Sequence, residues 1–199
     1  PTHVVHLAAI SAVTHADESA FYQVNLFGSL NLLRALTALR NPPEKVLLAS
    51  SANVYGNQAS EAIAATLCPK PVTHYAMGKL AMEHMAMTLA DRLPLVIARP
   101  FNYTGLGHDL RFVIPKIVDH LRAGKTRIEL GNIDAYQLRD VISRAQTIAQ
   151  REIAVDVNPA FVRANEVHWL AGDSNKLHST IGEFRTYELD ETLSWMINA

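Results

Sequence analysis

Tyr75 and Lys79 stand four residues apart, and Ser50-Ser51-Ala52-Asn53-Val54-Tyr55-Gly56 precedes them. Four residues is about one helical turn, so a helix would put both side chains on one face. There a lysine ammonium can draw the phenol's pKa down from its free value of about 10. A phenol tuned in this way passes a proton to or from a carbonyl or alcohol oxygen near neutral pH. A serine hydroxyl on a nearby loop can hold that oxygen in place. The set suits hydride transfer at a carbon bearing oxygen, beside a nicotinamide.

Tyr-x-x-x-Lys by itself also describes a surface tyrosine next to a surface lysine. The order of the elements around it argues for chemistry. Residues 44–50 read as a short buried strand entered from the Pro42-Pro43 turn. The serine-rich stretch lies at the strand's C-terminal end, where open parallel sheets bind ligands. A loop with Pro69 and Pro71 then leads into a helix over 73–92 that carries Tyr75 and Lys79. Its apolar stripe is expected along Leu80, His84, Met87 and Leu89.

The rest of the chain alternates. A long helix is expected over 17–40, with Val24, Phe27, Leu30, Leu33 and Leu36 to Leu39 recurring every three or four residues. Strands are expected at 94–99, 126–130 and 153–157, and helices at 112–123, 136–150 and 191–198. Such alternation argues for an α/β fold with a parallel sheet and helices on both faces.

Hydrophobic residues make up 49% of the chain and charged residues 19%, which suits a globular core rather than disorder. A formal net charge of -1 leaves no electrostatic footprint for nucleic acid or a membrane surface. No apolar run reaches membrane-spanning length, and no metal-ligand spacing stands out. Cys68 is the single cysteine, so no intramolecular disulfide framework is expected, and a reducing cytoplasm is the simplest compartment. The chain opens at Pro1-Thr2-His3-Val4-Val5-His6-Leu7-Ala8-Ala9, already inside an expected strand, with no glycine-rich G-x-G-x-x-G turn. A dinucleotide site needs such a turn to seat the pyrophosphate on a helix N-terminus. Preceding strands are therefore expected outside these residues; loss of cofactor binding is the alternative.

His6-Leu7-Ala8-Ala9, Asn25-x-x-Gly28, Ser50-Ser51-x-x-Val54-Tyr55-Gly56, Tyr75-x-x-x-Lys79 and Arg99-Pro100-x-Asn102 occur in one order. Together they resemble the extended short-chain dehydrogenase/reductases that act on nucleotide sugars, over nearly the whole chain. That resemblance implies a Rossmann-like doubly wound sheet with a small C-terminal substrate-binding α/β part. Residues 1–110 would be the C-terminal part of the dinucleotide-binding domain, and 111–199 mainly the substrate-binding part. It implies a catalytic triad of Ser51, Tyr75 and Lys79, with Ala8 and Ala9 along an NADP or NAD cofactor. Tyr75 and Lys79 would also touch the cofactor, Lys79 at the nicotinamide ribose. Asn25 would brace the active-site end of its helix. Gly78 departs from the pattern, since many members carry Ser there; glycine inside a helix costs about 1 kcal/mol against alanine.

Within this superfamily the 4,6-dehydratases place acidic residues where this chain has Ala52 and Asn53. Elimination of water needs a base and an acid there, and neither residue can serve. The segments 99–105, 114–118, 130–134, 158–167 and 172–177 resemble the branch that handles GDP-mannose derivatives. By that likeness Ser51, Asn102, Lys116, Arg163 and Glu166 would bind a GDP-linked sugar. Arginine suits the diphosphate because its planar fork gives paired hydrogen bonds. The implied reaction is NAD(P)H-dependent reduction of a 4-keto group on a GDP-linked 6-deoxyhexose, by a homodimer. A nucleotide-sugar 4-epimerase and a non-catalytic binding module on the same fold are the alternatives. The family pattern also leads one to expect several tens of residues more between Tyr136 and Gln137.

Overall fold

The computed structural model describes residues 1–11, 17–58, 62–131, 136–162 and 170–199. The chain divides into two compact units, 1–102 with 169–176, and 103–168 with 177–199.

The first unit is built on a parallel sheet of three strands, β1 (His3–His6), β2 (Lys45–Ala49) and β3 (Leu95–Ala98), with β2 in the middle. The register pairs Val4 with Val46 and Val46 with Leu95. Side chains alternate across a strand, so Val46 and Leu48 point to one face, where both are fully buried. Against them pack Leu33 and Leu36 of α1 (Ser29–Thr37) and Met82 and Ala86 of α2 (His74–Met87). On the other face Val5 and Val96 remain 65% and 40% exposed. The described helices packed against Val46 and Leu48 lie on one face of the sheet.

The expected long helix over 17–40 is in two parts. Phe21–Gly28 is a π-helical segment, and α1 follows without a break. Widening the turn to i→i+5 bonds rotates the following side chains off the 3.6-residue stripe. Val24 and Phe27, expected in the core, are consequently exposed, and Phe21, Asn25 and Ser29 are buried in their place. The apolar stripe expected on α2 is also displaced. His84 and Met87 are exposed, and the buried face runs Tyr75, Ala76, Gly78, Lys79, Met82, Glu83, Ala86. Periodicity of apolar residues misplaced this face because two of its members are charged.

Thr73 caps α2 by accepting the Ala76 N–H at 3.2 Å. Gly78 lets α2 approach the π-helical segment. A Cβ there would stand 3.3 Å from the Phe21 carbonyl oxygen, tighter than an ordinary contact. Gly56 ends the turn that follows β2 with φ 63° and ψ -151°, a region open essentially to glycine.

The second unit holds a two-stranded parallel sheet, β4 (Arg127–Leu130) and β5 (Ala154–Val157). Its core joins Ile117 and Leu121 of α3 (Val113–Arg122), Ile142 and Ala145 of α4 (Tyr136–Ala149), and Leu193 and Met196 of α6 (Leu189–Asn198). A short α5 (Asn175–Ile181), not expected from the sequence, precedes α6. Helix α4 begins at Tyr136, beside the junction where additional residues were expected.

Gly56→Ala should destabilise the protein by at least about 2 kcal/mol, from backbone strain together with overlap of the new methyl with the Lys70 carbonyl oxygen. Urea unfolding checks this, and a change below about 0.5 kcal/mol would contradict the geometry.

Candidate active site

Strand β2 ends at Ala49, and Ser50 and Ser51 follow at its C-terminal edge. Ser51 caps a single 3-10 turn, Ala52–Tyr55. Its Oγ accepts hydrogen bonds from the Asn53 N–H at 3.2 Å and from Asn53 Nδ2 at 3.1 Å. A hydroxyl has two acceptor sites and one proton. With both acceptor sites directed at Asn53, the proton is the part of Ser51 left to meet a substrate oxygen. Asn53 thus orients the Ser51 hydroxyl.

Helix α2 packs on this turn and on the π-helical segment. Tyr75 is 7% exposed, with its ring edge-on to Phe21 at 5.9 Å between centroids. One turn later Lys79 is 4% exposed and donates from Nζ to the Ala49 carbonyl oxygen at 2.7 Å. That bond joins the helix of the Tyr-Lys pair to the strand end that carries the serines. Burial pushes the Lys79 ammonium down from 10.5 to about 8, and the Glu83 carboxylate pulls in the opposite direction. The Lys79 ammonium is therefore easier to deprotonate than a solvated lysine.

Behind Lys79, His6 ends β1. Its Nε2 lies 2.9 Å from Ser29 Oγ, and Ser29 in turn donates to the Asn25 carbonyl oxygen at 2.7 Å. The one Ser29 proton is committed there, so the His6 Nε2 must carry the hydrogen of the first contact. Burial, and then the Lys79 charge, hold the His6 imidazolium below its usual pKa, which favours the neutral ring. The Asn25 side chain bonds both sides of the Ile10 backbone, accepting the N–H at 2.9 Å and donating to the carbonyl at 3.1 Å. It therefore braces the Ala8-Ala9-Ile10 stretch as well as its own helix.

Ser51, Tyr75, Lys79, Ala8, Ala9 and Asn102 all belong to the first unit, with Ala8 and Asn102 exposed. Lys116 belongs to the second unit, where Nζ donates to the Glu129 carbonyl oxygen at 2.7 Å and lies 5.0 Å from the centre of the Phe161 ring. It lines an open depression of about 410 Å³ shared with His120, Arg127, Asp156 and Phe161. Arg163 and Glu166 lie outside the described residues. Two buried polar residues that the sequence reading left without a role are Ser29 and Glu83. Glu83 was within reach of that reading: it extends the spacing to Tyr75, Lys79, Glu83, one residue per turn on one face.

The donor set fits the nicotinamide end of a dinucleotide. An ammonium has three protons; Lys79 spends one on Ala49, leaving two for ribose hydroxyls. Small Ala8 and Ala9 leave room beside the backbone. The 199 residues contain no glycine-rich turn for the pyrophosphate.

A parallel α/β sheet with a serine turn at its C-terminal edge and a buried Tyr-x-x-x-Lys helix defines a dehydrogenase/reductase of the short-chain type. The chain belongs to the NAD dependent epimerase/dehydratase family, whose model it matches over residues 1–144. This is an NAD(P)-dependent oxidoreductase family acting on nucleotide sugars. The chain is 30% identical to the GDP-6-deoxy-D-talose 4-dehydrogenase of Aggregatibacter actinomycetemcomitans over 216 residues, covering 92% of this chain and 74% of that one. It is 31% identical to the GDP-6-deoxy-D-mannose reductase of Pseudomonas aeruginosa over 227 residues, with the same coverages. Both matched stretches exceed the 199 residues of the whole chain, so the alignments include positions that this chain lacks. Among solved structures, a protein from Burkholderia cenocepacia J2315 superposes with TM-score 0.89 at 41% identity, over all of this chain and 75% of that one. The Pseudomonas aeruginosa RMD complexed with NADPH superposes with TM-score 0.86 at 27% identity, over all of this chain and 80% of that one.

Because the folded-state value of Lys79 lies below the unfolded 10.5, the unfolded chain binds the extra proton between about 8 and 10.5. Stability contributed at this site therefore rises with pH across that window. The stability of the wild type relative to Lys79→Met should climb from pH 8 to pH 10.5 in denaturant titrations. A difference independent of pH would mean that the ammonium is solvated.

Proposed function

We propose that the protein reduces the 4-keto group of a GDP-linked 6-deoxyhexose with NADPH or NADH. The observation that carries this reading is the commitment of Asn53 to Ser51, beside a buried Tyr75 and Lys79. The turn then presents a carbonyl-binding hydroxyl and has no acid for elimination. A bound reduced nicotinamide supplies the hydride to C4. Ser51 donates its proton in a hydrogen bond to the ketone oxygen and stabilises the growing negative charge. Tyr75 passes its phenolic proton to that oxygen. Lys79 stabilises the phenolate left behind and offers its remaining protons to the ribose. Asn25 fixes the Ala8-Ala9 stretch that flanks the cofactor.

The GDP-linked substrate is supported by the names of the two relatives. D-talose and D-mannose differ only in configuration at C4, so both names fit hydride transfer at the same carbon, from opposite faces. Residues 1–110 would mainly hold the cofactor and 111–199 the sugar nucleotide. Asn102, Lys116, Arg163 and Glu166 are the proposed substrate contacts. Exposed Val24, Phe27 and Met77, on the π-helical segment and α2, favour a homodimer. Among the described residues no helix is long and apolar enough to cross a membrane, and Cys68 is a free, exposed thiol; both agree with a cytoplasmic enzyme.

Incubation of the enzyme with GDP-4-keto-6-deoxy-D-mannose and NADPH or NADH tests the reaction. Stoichiometric oxidation of the cofactor is expected, and the proton coupling at C4 of the product tells rhamnose from 6-deoxytalose. Turnover of a nucleotide hexose with no net change in cofactor would establish an epimerase instead.

Tyr75→Phe should lower turnover by a factor of about 10² or more and leave cofactor affinity nearly intact, because it removes the proton donor and keeps the ring. Near wild-type turnover would remove Tyr75 from the mechanism. Arg163→Ala should raise the KM for the sugar nucleotide and leave the cofactor KM unchanged, since the diphosphate is equally charged before and after hydride transfer. Steady-state kinetics against both substrates decides this.

A further inference from the structure

Glu83 is 5% exposed, on the buried face of α2 one turn beyond Lys79. Ser50 Oγ donates a hydrogen bond to its Oε1. Arg99, just beyond β3, grips both oxygens: Nε lies 2.9 Å from Oε1, and Nη2 lies 2.6 Å from Oε2. Pairing with Glu83 holds the guanidinium still further above its usual pKa. The other fork of Arg99 reaches back to the serine turn, with Nη1 donating to Tyr55 Oη at 2.8 Å. Its carbon centre also lies 5.0 Å from the middle of the Tyr55 ring, and Tyr55 Oη donates to the Ala65 carbonyl at 3.3 Å.

Ser50 immediately precedes Ser51, and Tyr55 closes the turn that Ser51 caps. One ion pair thus holds both ends of the segment that presents the Ser51 hydroxyl. We propose that Glu83, clamped by Arg99, is a positioning residue for the reaction: it fixes the Ser50–Tyr55 turn against the helix of Tyr75 and Lys79 and sets the charge on that helix face. Two well-packed apolar side chains would serve the fold about as well as a buried ion pair. They would not hold Ser50 and Tyr55 by hydrogen bonds, nor place an anion beside Lys79. The charged and titratable groups around Lys79 are His6 on β1, Tyr75 and Glu83 on α2, and Arg99 behind Glu83.

Two variants of the intact enzyme test the assignment, Glu83→Gln and the neutral pair Glu83→Gln with Arg99→Met. The kinetic part rests on the keto-reductase reading above; the titration of Lys79 does not. NMR of lysine labelled at the ε-carbon follows that titration, with Lys79→Met assigning the resonance. In Glu83→Gln the Lys79 midpoint should fall from about 8 by roughly one pH unit, because desolvation is no longer opposed by an anion. Turnover should drop by about tenfold or more in both variants, with cofactor Kd within about twofold of wild type. The neutral pair guards against misfolding of the single variant, since it does not leave the Arg99 guanidinium without its carboxylate. An unmoved Lys79 midpoint in Glu83→Gln, or wild-type turnover in the neutral pair, overturns the role of Glu83. If the wild type reduces no 4-keto sugar nucleotide, the proposed reaction falls and the Lys79 midpoint decides the electrostatic part alone.

Discussion

Lys79 bears a charge on a side chain that is almost wholly buried, and much of the first unit is arranged around that fact. A buried ammonium is expensive unless its protons are bound and its charge is answered. The Ala49 carbonyl binds one proton, and Glu83 answers the charge from one turn away. Glu83 is itself buried and needs a cation of its own, which Arg99 supplies. Each demand fixes another element. The bond to Ala49 joins α2 to β2, the pair with Arg99 joins α2 to the end of β3, and the Ser50 bond draws in the turn that carries Ser51. The residues proposed to tune the chemistry are thus also residues that join strands and helix.

The π-helical segment serves the same centre from the other side. Its wide turn brings Asn25 and Ser29 to the buried face, where a regular helix would have carried Val24 and Phe27. Asn25 then holds the backbone after β1, and the Ser29 carbonyl-directed proton forces His6 to donate. Insertions of this type are common at functional sites, because they re-aim side chains without ending the helix. Gly78 is part of this arrangement, since a Cβ at that position would stand 3.3 Å from the Phe21 carbonyl oxygen of the π-helical segment.

The two relatives named for GDP-6-deoxyhexoses differ in the C4 configuration of their sugars. In the proposed reaction the face of the ketone presented to the hydride is a matter of how the sugar nucleotide is held, and Ser51, Tyr75 and Lys79 would act alike on either face. Selectivity of that kind belongs to the residues that grip the nucleotide and sugar rather than to the proton-transfer groups. Under the proposed reaction the chemistry and its stereochemical result would be carried by different residues.

Much of this protein was legible in the order of its residues. Alternating apolar runs gave the strands and most helices within a few residues, because burial on a fixed period leaves a mark in sequence. Ser51, Tyr75 and Lys79 could be picked out as candidates because their spacing is local, one helical turn and one strand end. What the sequence could not express was which face of α2 is buried. Apolar periodicity points to Leu80, His84 and Met87, and the folded chain instead buries Lys79 and Glu83, whose partners lie 30 and 16 residues away. A charge is tolerable inside only when such distant groups arrive together, and no local pattern records that. The π-helical turn is hidden for the same reason: its cost is offset by the contacts of Asn25 and Ser29 with β1 and the stretch after it, which exist only in the folded chain.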